Sequence, residues 1–231
     1  MESSVNHAND GIRISDLIGP LNTTEQKRSP DRVYVRGDMS LASLPKVSVV
    51  GTREPSLKGI ANAQSIVKML VNEGVVIVSG LARGIDTVAH RTAIENGGRT
   101  IAVLGTPLDS FYPSENRSLQ EEIGRDHLLV SQFAEGTKTL RSNFPARNLS
   151  MALISDVTII VEAGEKSGTK HQGWEAIRMG RPLFIVEDLL EQNVSWVREM
   201  LDYGAQIIRP RDLEPLLDVL PASGVLNGSS Q

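Results

Sequence analysis

Four glycines stand in loops that follow short apolar runs: Gly51 after Val47 to Val50, Gly80 and Gly84 after Val75 to Val78, and Gly105 after Ile101 to Leu104. Glycine allows positive φ and close approach of another group to the backbone. Amides left exposed where a helix begins attract anions. Thr52 and Arg53 follow Gly51, and Arg83 precedes Gly84. Two guanidinium groups beside such amides suit phosphate. Ser167-Gly168 repeats the pattern after the apolar run Val157 to Val161. The competing reading is an ordinary set of strand-to-helix turns with surface arginines. Two arginines in adjacent loops weigh against it.

A second concentration lies at 138–148. Lys138, Arg141 and Arg147 occur there without an acidic residue, and Phe144 sits among them. Basic groups along a backbone, with a ring to carry a base, are how single-stranded nucleic acid is held. The alternative is that Phe144 plugs the helix start at Pro145.

Other chemistries find less support. Gly80-Leu-Ala-Arg-Gly84 is not the Gly-x-Gly-x-x-Gly dinucleotide fingerprint, and no Gly-Lys-Ser/Thr pair marks an ATPase loop. Asp86 and His90 are four apart on a predicted helix and share a face; Asp86 can orient His90 or cap the helix start. No histidine shows metal-ligand spacing, and Asp109 and Glu162, near the loop edge, are not paired as acid and base. Cysteine is absent, which removes disulfide and thiolate chemistry. The formal net charge of -4 argues against binding nucleic acid by bulk charge, so a binder would depend on a few placed cations.

These residues need a scaffold that gathers them. Val47 to Val50, Val75 to Val78, Ile101 to Leu104, Leu128 to Val130, Val157 to Val161, Leu183 to Val186 and Gln206 to Ile208 read as strands, and residues 32–36 as a small edge strand. Helices are predicted over 57–72, 84–96, 116–124, 170–179, 189–202 and 212–220, with another ending near Ile154. Alternation of buried strands and helices implies an α/β fold: a Rossmann-like three-layer sandwich with a mostly parallel central sheet. Right-handed crossovers then bring the loops at 51–53, 79–84, 105–112 and 162–169 to one edge. Residues 1–30 read as a partly disordered extension with a docked segment around Ile12 to Leu21, 31–221 as the domain, and 222–231 as a flexible tail. The chain has no apolar signal core and no membrane-length run, so the expected location is cytoplasmic.

Several of these pieces, in this order, resemble the DNA-processing protein family called DprA or Smf. They are Val35-Arg-Gly-Asp38, Gly51-Thr-Arg53, Val78-Ser-Gly-Leu-Ala-Arg-Gly-Ile-Asp86 with Ala89-His90, and Gly98 to Gly105. Leu108-Asp109, Tyr112-Pro113, Glu115-Asn116, Asn143-Phe-Pro-Ala-Arg-Asn148, Val161-Glu-Ala163 and Ser167-Gly168 continue the match. The resemblance implies an extended Rossmann-like domain that binds single-stranded DNA without sequence preference, forms homodimers and loads a RecA-type recombinase in natural transformation or recombination. It implies no catalytic turnover and no cofactor. By that similarity Arg53, Ser79, Gly80, Lys138, Phe144, Arg147 and Asn148 are DNA-contact candidates. Arg83 joins them from its loop position, and Gly51, Thr52, Gly84, Gly105, Ser167 and Gly168 are the anion-loop candidates.

The chain departs from the family pattern in places. Leu149 stands where a further basic residue is usual, and Thr169-Lys-His-Gln-Gly-Trp174 replaces the usual helix start. The flanking modules of longer members are not recognised, so a core-only version is expected. A second reading is a small-nucleotide sensor, or a hydrolase like the related nucleotide phosphoribohydrolases. Gln172 occupies the place of their catalytic glutamate, so no hydrolysis is expected. A third is an interaction module using Trp174, Trp196 and the 189–220 segment.

Overall fold

The computed structural model describes residues 10–192 and 194–221. The expected disorder of the first residues and the tail at 222–231 fall outside them, apart from residue 10. Among the described residues eight strands form one sheet: β1 Tyr34–Gly37, β2 Lys46–Val50, β3 Val76–Ser79, β4 Thr100–Leu104, β5 Leu128–Ser131, β6 Val157–Ile160, β7 Leu183–Val186 and β8 Gln206–Ile208. Their spatial order is β1-β5-β4-β3-β2-β6-β7-β8. Every neighbouring pair from β5 to β8 is parallel, as in the registers Val47↔Ile77 and Val47↔Val157, while β1 runs antiparallel to β5.

Helices α1 Ile14–Ile18, α2 Thr23–Arg28, α3 Leu57–Asn72, α4 Ile85–Glu95, α5 Arg117–Asp126, α6 Asn143–Ile154, α7 Thr169–Arg178, α8 Asp188–Glu191, α9 Ser195–Asp202 and α10 Glu214–Leu217 cover the two faces. Strand side chains alternate between faces. Val47, Val49, Ile77, Ile159 and Phe184 pack with Ala63, Ile66, Val67 and Leu70 of α3 and with Ala89 and Ala93 of α4. Val50, Val76, Val78, Val103 and Ile185 face the other way, onto Met151 to Ile154 of α6, Ala176 of α7 and Trp196 of α9. Apolar burial on both faces is why the central strands read as continuous β-branched runs.

Two boundaries differ from expectation. The helix predicted over 189–202 is two helices, α8 and α9. The Glu165 carboxylate accepts from the backbone N–H of Ser195 at 2.9 Å, satisfying one of the open donors of a new helix start from outside the helix. Leu189 of α8 and Trp196, Val197 and Met200 of α9 are all buried, so each piece docks its own apolar face. The last helix is α10 alone, shorter than 212–220. The segment from Ile12 packs onto the domain. Ile12 bridges Val33, Ile14 and Leu17 enter the core, and Asn22 with Glu25 makes a capping box for α2.

Candidate nucleic-acid interface

The crossovers from β2 through β5 step one way along the sheet, and β6 returns to the opposite side of β2. A crevice opens outside the carboxyl ends of strands at such a reversal. Two cavities adjoin there. The smaller, about 110 Å³, is lined by Val50 and Gly51 at the end of β2, Asn148 and Met151 on α6, and Gly168, Thr169, His171 and Gln172 at the start of α7. The larger, about 490 Å³, is lined by Arg83, Gly105, Phe111, Tyr112, Pro113 and Glu115. Arg53, Ala82, Phe144 and Arg147 line both.

Phe144, half-buried, forms part of the divide between the two cavities. A Cβ at Gly105 would come within 2.7 Å of its Cδ1, so only glycine leaves room for the ring there. Tyr112 lies against the ring, with centroids 5.2 Å apart and planes tilted by 50°. Phe144 thus packs on Gly105 and Tyr112 in the first turn of α6, with part of its ring left at the crevice. Arg53 is exposed beside it. Gly84, at φ 77°, is the N-cap of α4, and a Cβ there would strike the Thr52 carbonyl. The Ile85 N–H donates to that carbonyl at 3.1 Å, which locks the Arg53 loop onto the start of α4.

Arg147 and Ser79 are placed differently from expectation. The Arg147 side chain is buried beneath the crevice, and its Nη1 donates to the Val103 carbonyl at 2.9 Å. Burial pulls its pKa down, and the charge of Asp86 opposes that pull. Asp86 is itself buried; desolvation raises its pKa, offset by Arg147 and by the N–H groups of Gly80, at 3.1 Å, and Ala82, at 3.4 Å. Arg147 thus ties the loops together from below while still lining both cavities. Ser79 is fully buried and its hydroxyl donates to the Val49 carbonyl at 2.7 Å, so it presents nothing at the surface. Gly80 is buried too and lines the larger cavity.

Arg83 is exposed and forms an ion pair with Glu115 at the mouth of the larger cavity. Lys138 is exposed and lines neither cavity. Thr52 contributes its backbone to the loop lock, and Ser167 turns its hydroxyl to Thr169 at the start of α7. Glu162 accepts from the Ser56 N–H at 3.0 Å and so anchors the start of α3, while Asp109 accepts from the Gly136 N–H at 3.2 Å. Neither is an acid–base partner of the other. Asp86 and His90 do not work as a pair either. His90 Nδ1 meets the Thr100 hydroxyl at 2.7 Å, and that hydroxyl donates onward to the Ile77 carbonyl. Nδ1 is therefore the protonated nitrogen.

Sequence reasoning assigned no role at this crevice to Tyr112 or Glu115 and considered Gln172 only as standing in the place of a catalytic glutamate. Tyr112 stands in the loop 105–112 that the pattern placed at the edge, and an aromatic residue in a polar loop was the signal available; Glu115 lies just beyond it, in the short turn Ser114–Asn116. Gln172 is buried, and neither of its amide atoms has a hydrogen-bond partner among the described residues. No group of three or more His, Asp or Glu among the described residues can hold a metal, and no described helix is long and apolar enough to cross a membrane.

A family model described as DNA recombination-mediator protein A matches residues 12–219. The chain belongs to this family. It is 39% identical over 196 residues to the DNA processing protein DprA of Streptococcus pneumoniae, covering 84% of this chain and 69% of that protein. It is 37% identical over 200 residues to Protein Smf of Synechocystis, covering 83% of this chain and 50% of that protein. The chain thus spans only part of the length of its DprA/Smf relatives. The solved structure of DNA processing protein A from Helicobacter pylori, described for its single-stranded DNA binding mode, superposes with a TM-score of 0.73 at 29% identity. It covers 86% of this chain and 92% of that one.

Proposed function

We propose that this chain binds single-stranded DNA along the crevice at the carboxyl edge of the sheet, without sequence preference and without catalytic turnover. Arg53 meets a phosphate, the backbone at Gly51 and Gly168 lines the path closely, Asn148 donates from α6, and Phe144 carries a base. Lys138, on the exposed loop before α6, meets the strand as it leaves the crevice. In this reading the protein serves DNA recombination or natural transformation in the cytoplasm, as a homodimer that hands its strand to a RecA-type recombinase. The observation that carries the proposal is the meeting of Phe144 and exposed Arg53 at the strand-order reversal. The single-stranded DNA binding mode described for the Helicobacter pylori relative supports it.

A titration with fluorescent oligo-dT, duplex DNA and RNA tests the reading. The expected result is micromolar or tighter affinity for oligo-dT, a weaker response to duplex, and marked salt dependence. Wild-type binding by both Phe144→Ala and Arg53→Ala would show that the strand lies elsewhere. A second reading, a small-nucleotide sensor, has one observation in its favour: the smaller cavity, lined by Gln172, Thr169 and Asn148. Calorimetry with nucleoside monophosphates distinguishes it.

A further inference from the structure

We propose that Tyr112 is a second base-stacking residue and supplies the outer platform of the crevice. The inference rests on the single-stranded DNA reading above and adds a residue that pattern alone did not single out. The chain has few rings: four phenylalanines, three tyrosines and two tryptophans. Phe111, Tyr112 and Phe144 all line the larger cavity.

The two stacked rings are not equally available. Phe144 is half-buried, with the backbone of Gly105 against its Cδ1 edge and Tyr112 beside it. Tyr112 is 52% exposed. A ring kept only for packing gains by hiding its apolar surface, since burial of that surface is what stabilises it. Tyr112 instead rests on Phe144 and leaves about half of its surface to solvent at the cavity mouth. The tilt of 50° between the planes means the two rings do not present one flat surface. They form a step, and successive bases of a flexible single strand can stack on each level. Base–ring stacking is indifferent to sequence because every base has a π-face.

Arg53 and Arg83 both line the same cavity as Tyr112. Glu54 and Glu115 line it too, and Glu115 is paired with Arg83, so exposed Arg53 is the cation open to a phosphate flanking a base on Tyr112. A duplex keeps its bases paired and stacked inside, so the outer ring favours single strands.

The test compares oligo-dT with an oligonucleotide of the same length and phosphate count in which every base is replaced by an abasic spacer. Wild type, Tyr112→Phe, Tyr112→Leu and Tyr112→Ala are titrated by anisotropy. Tyr112→Phe is expected to match wild type on both probes. Tyr112→Leu and Tyr112→Ala are expected to lose roughly fivefold or more on oligo-dT and to match wild type on the abasic strand. Equal losses on both probes, or no loss on oligo-dT, overturn the proposal. Leucine keeps the side chain apolar and bulky, so a folding defect confined to the alanine variant does not obscure the result. Failure of wild type to bind oligo-dT at all removes the underlying reading, an outcome distinct from wild-type binding that ignores residue 112.

Discussion

The guanidinium of Arg147 occupies the space in which a Cβ at Gly80 would stand. That relationship ties α6 to the turn after β3. Asp86 closes the arrangement by accepting from the N–H groups of Gly80 and Ala82. The candidate strand path is thus built over buried Arg147 and Asp86, with Phe144 one turn earlier on the helix that carries Arg147.

Removing Arg147 takes away the cation that offsets the desolvation of buried Asp86, and the donor to the Val103 carbonyl. Arg147→Ala is expected to cost about 3 kcal/mol of folding stability, measured by urea denaturation. Gly80→Ala is expected to destabilise as well, because its methyl displaces the guanidinium. Wild-type stability for both variants would show that the pair holds nothing together.

Glu115 holds Arg83 in an ion pair at the cavity mouth, so on the proposed strand path it stands in competition with a phosphate for that arginine. Glu115→Gln releases Arg83 and is expected to tighten oligo-dT binding at low salt. The slope of log K against log salt should steepen by about 0.7, one additional phosphate contact to a single strand. Arg83→Ala is expected to weaken binding less than Arg53→Ala, since its charge is already partly spent. An unchanged salt slope in Glu115→Gln would place Arg83 away from the strand.

The packing of Phe144 on Gly105 makes a second route to the same ring. Gly105→Ala places a methyl within 2.7 Å of the ring and must push it from its seat. Oligo-dT affinity is expected to fall toward that of Phe144→Ala, with a stability cost of about 1–3 kcal/mol for overpacking. Unaltered affinity by anisotropy would mean that the seat of the ring is unimportant.

His90 gives the fold a pH dependence. Burial first, then the charges of His127 and Arg147, lower its pKa from 6.5 to about 3. Between those values the unfolded chain takes up a proton that the folded one refuses. The contribution is therefore full above about pH 6.5 and is lost as pH falls toward 3, by about 1.4 kcal/mol per pH unit within the window. His127, lowered chiefly by its own burial, acts in the same direction. Asp86, raised by burial, acts oppositely at the acidic end. His90→Asn is expected to flatten the loss of urea stability between neutral and mildly acidic pH; an unchanged slope would assign the effect elsewhere.

The sequence by itself determined the layered α/β fold and the edge on which its loops gather. Runs such as Val75 to Val78 and Ile101 to Leu104 are too short and too β-branched for helices, and their burial on both faces demands a parallel sheet between helical layers. The periodicity of Ala63, Val67 and Leu70 set the helix Leu57–Asn72 in the same way. Family motifs such as Gly51-Thr-Arg53 and Asn143-Phe-Pro-Ala-Arg-Asn148 located the neighbourhood of the crevice. Local pattern stops there, because it records which residues are near in the chain and not which way their side chains turn. Only the tertiary structure turned Arg147 inward to Val103 and the Asp86 site, since that depends on a glycine 67 positions earlier. It alone paired Arg83 with Glu115 and set Tyr112 against Phe144, contacts between residues that two separate crossovers bring to one sheet edge. The split between α8 and α9 was also beyond local reading, because the carboxylate that meets Ser195 belongs to Glu165, in the loop after β6.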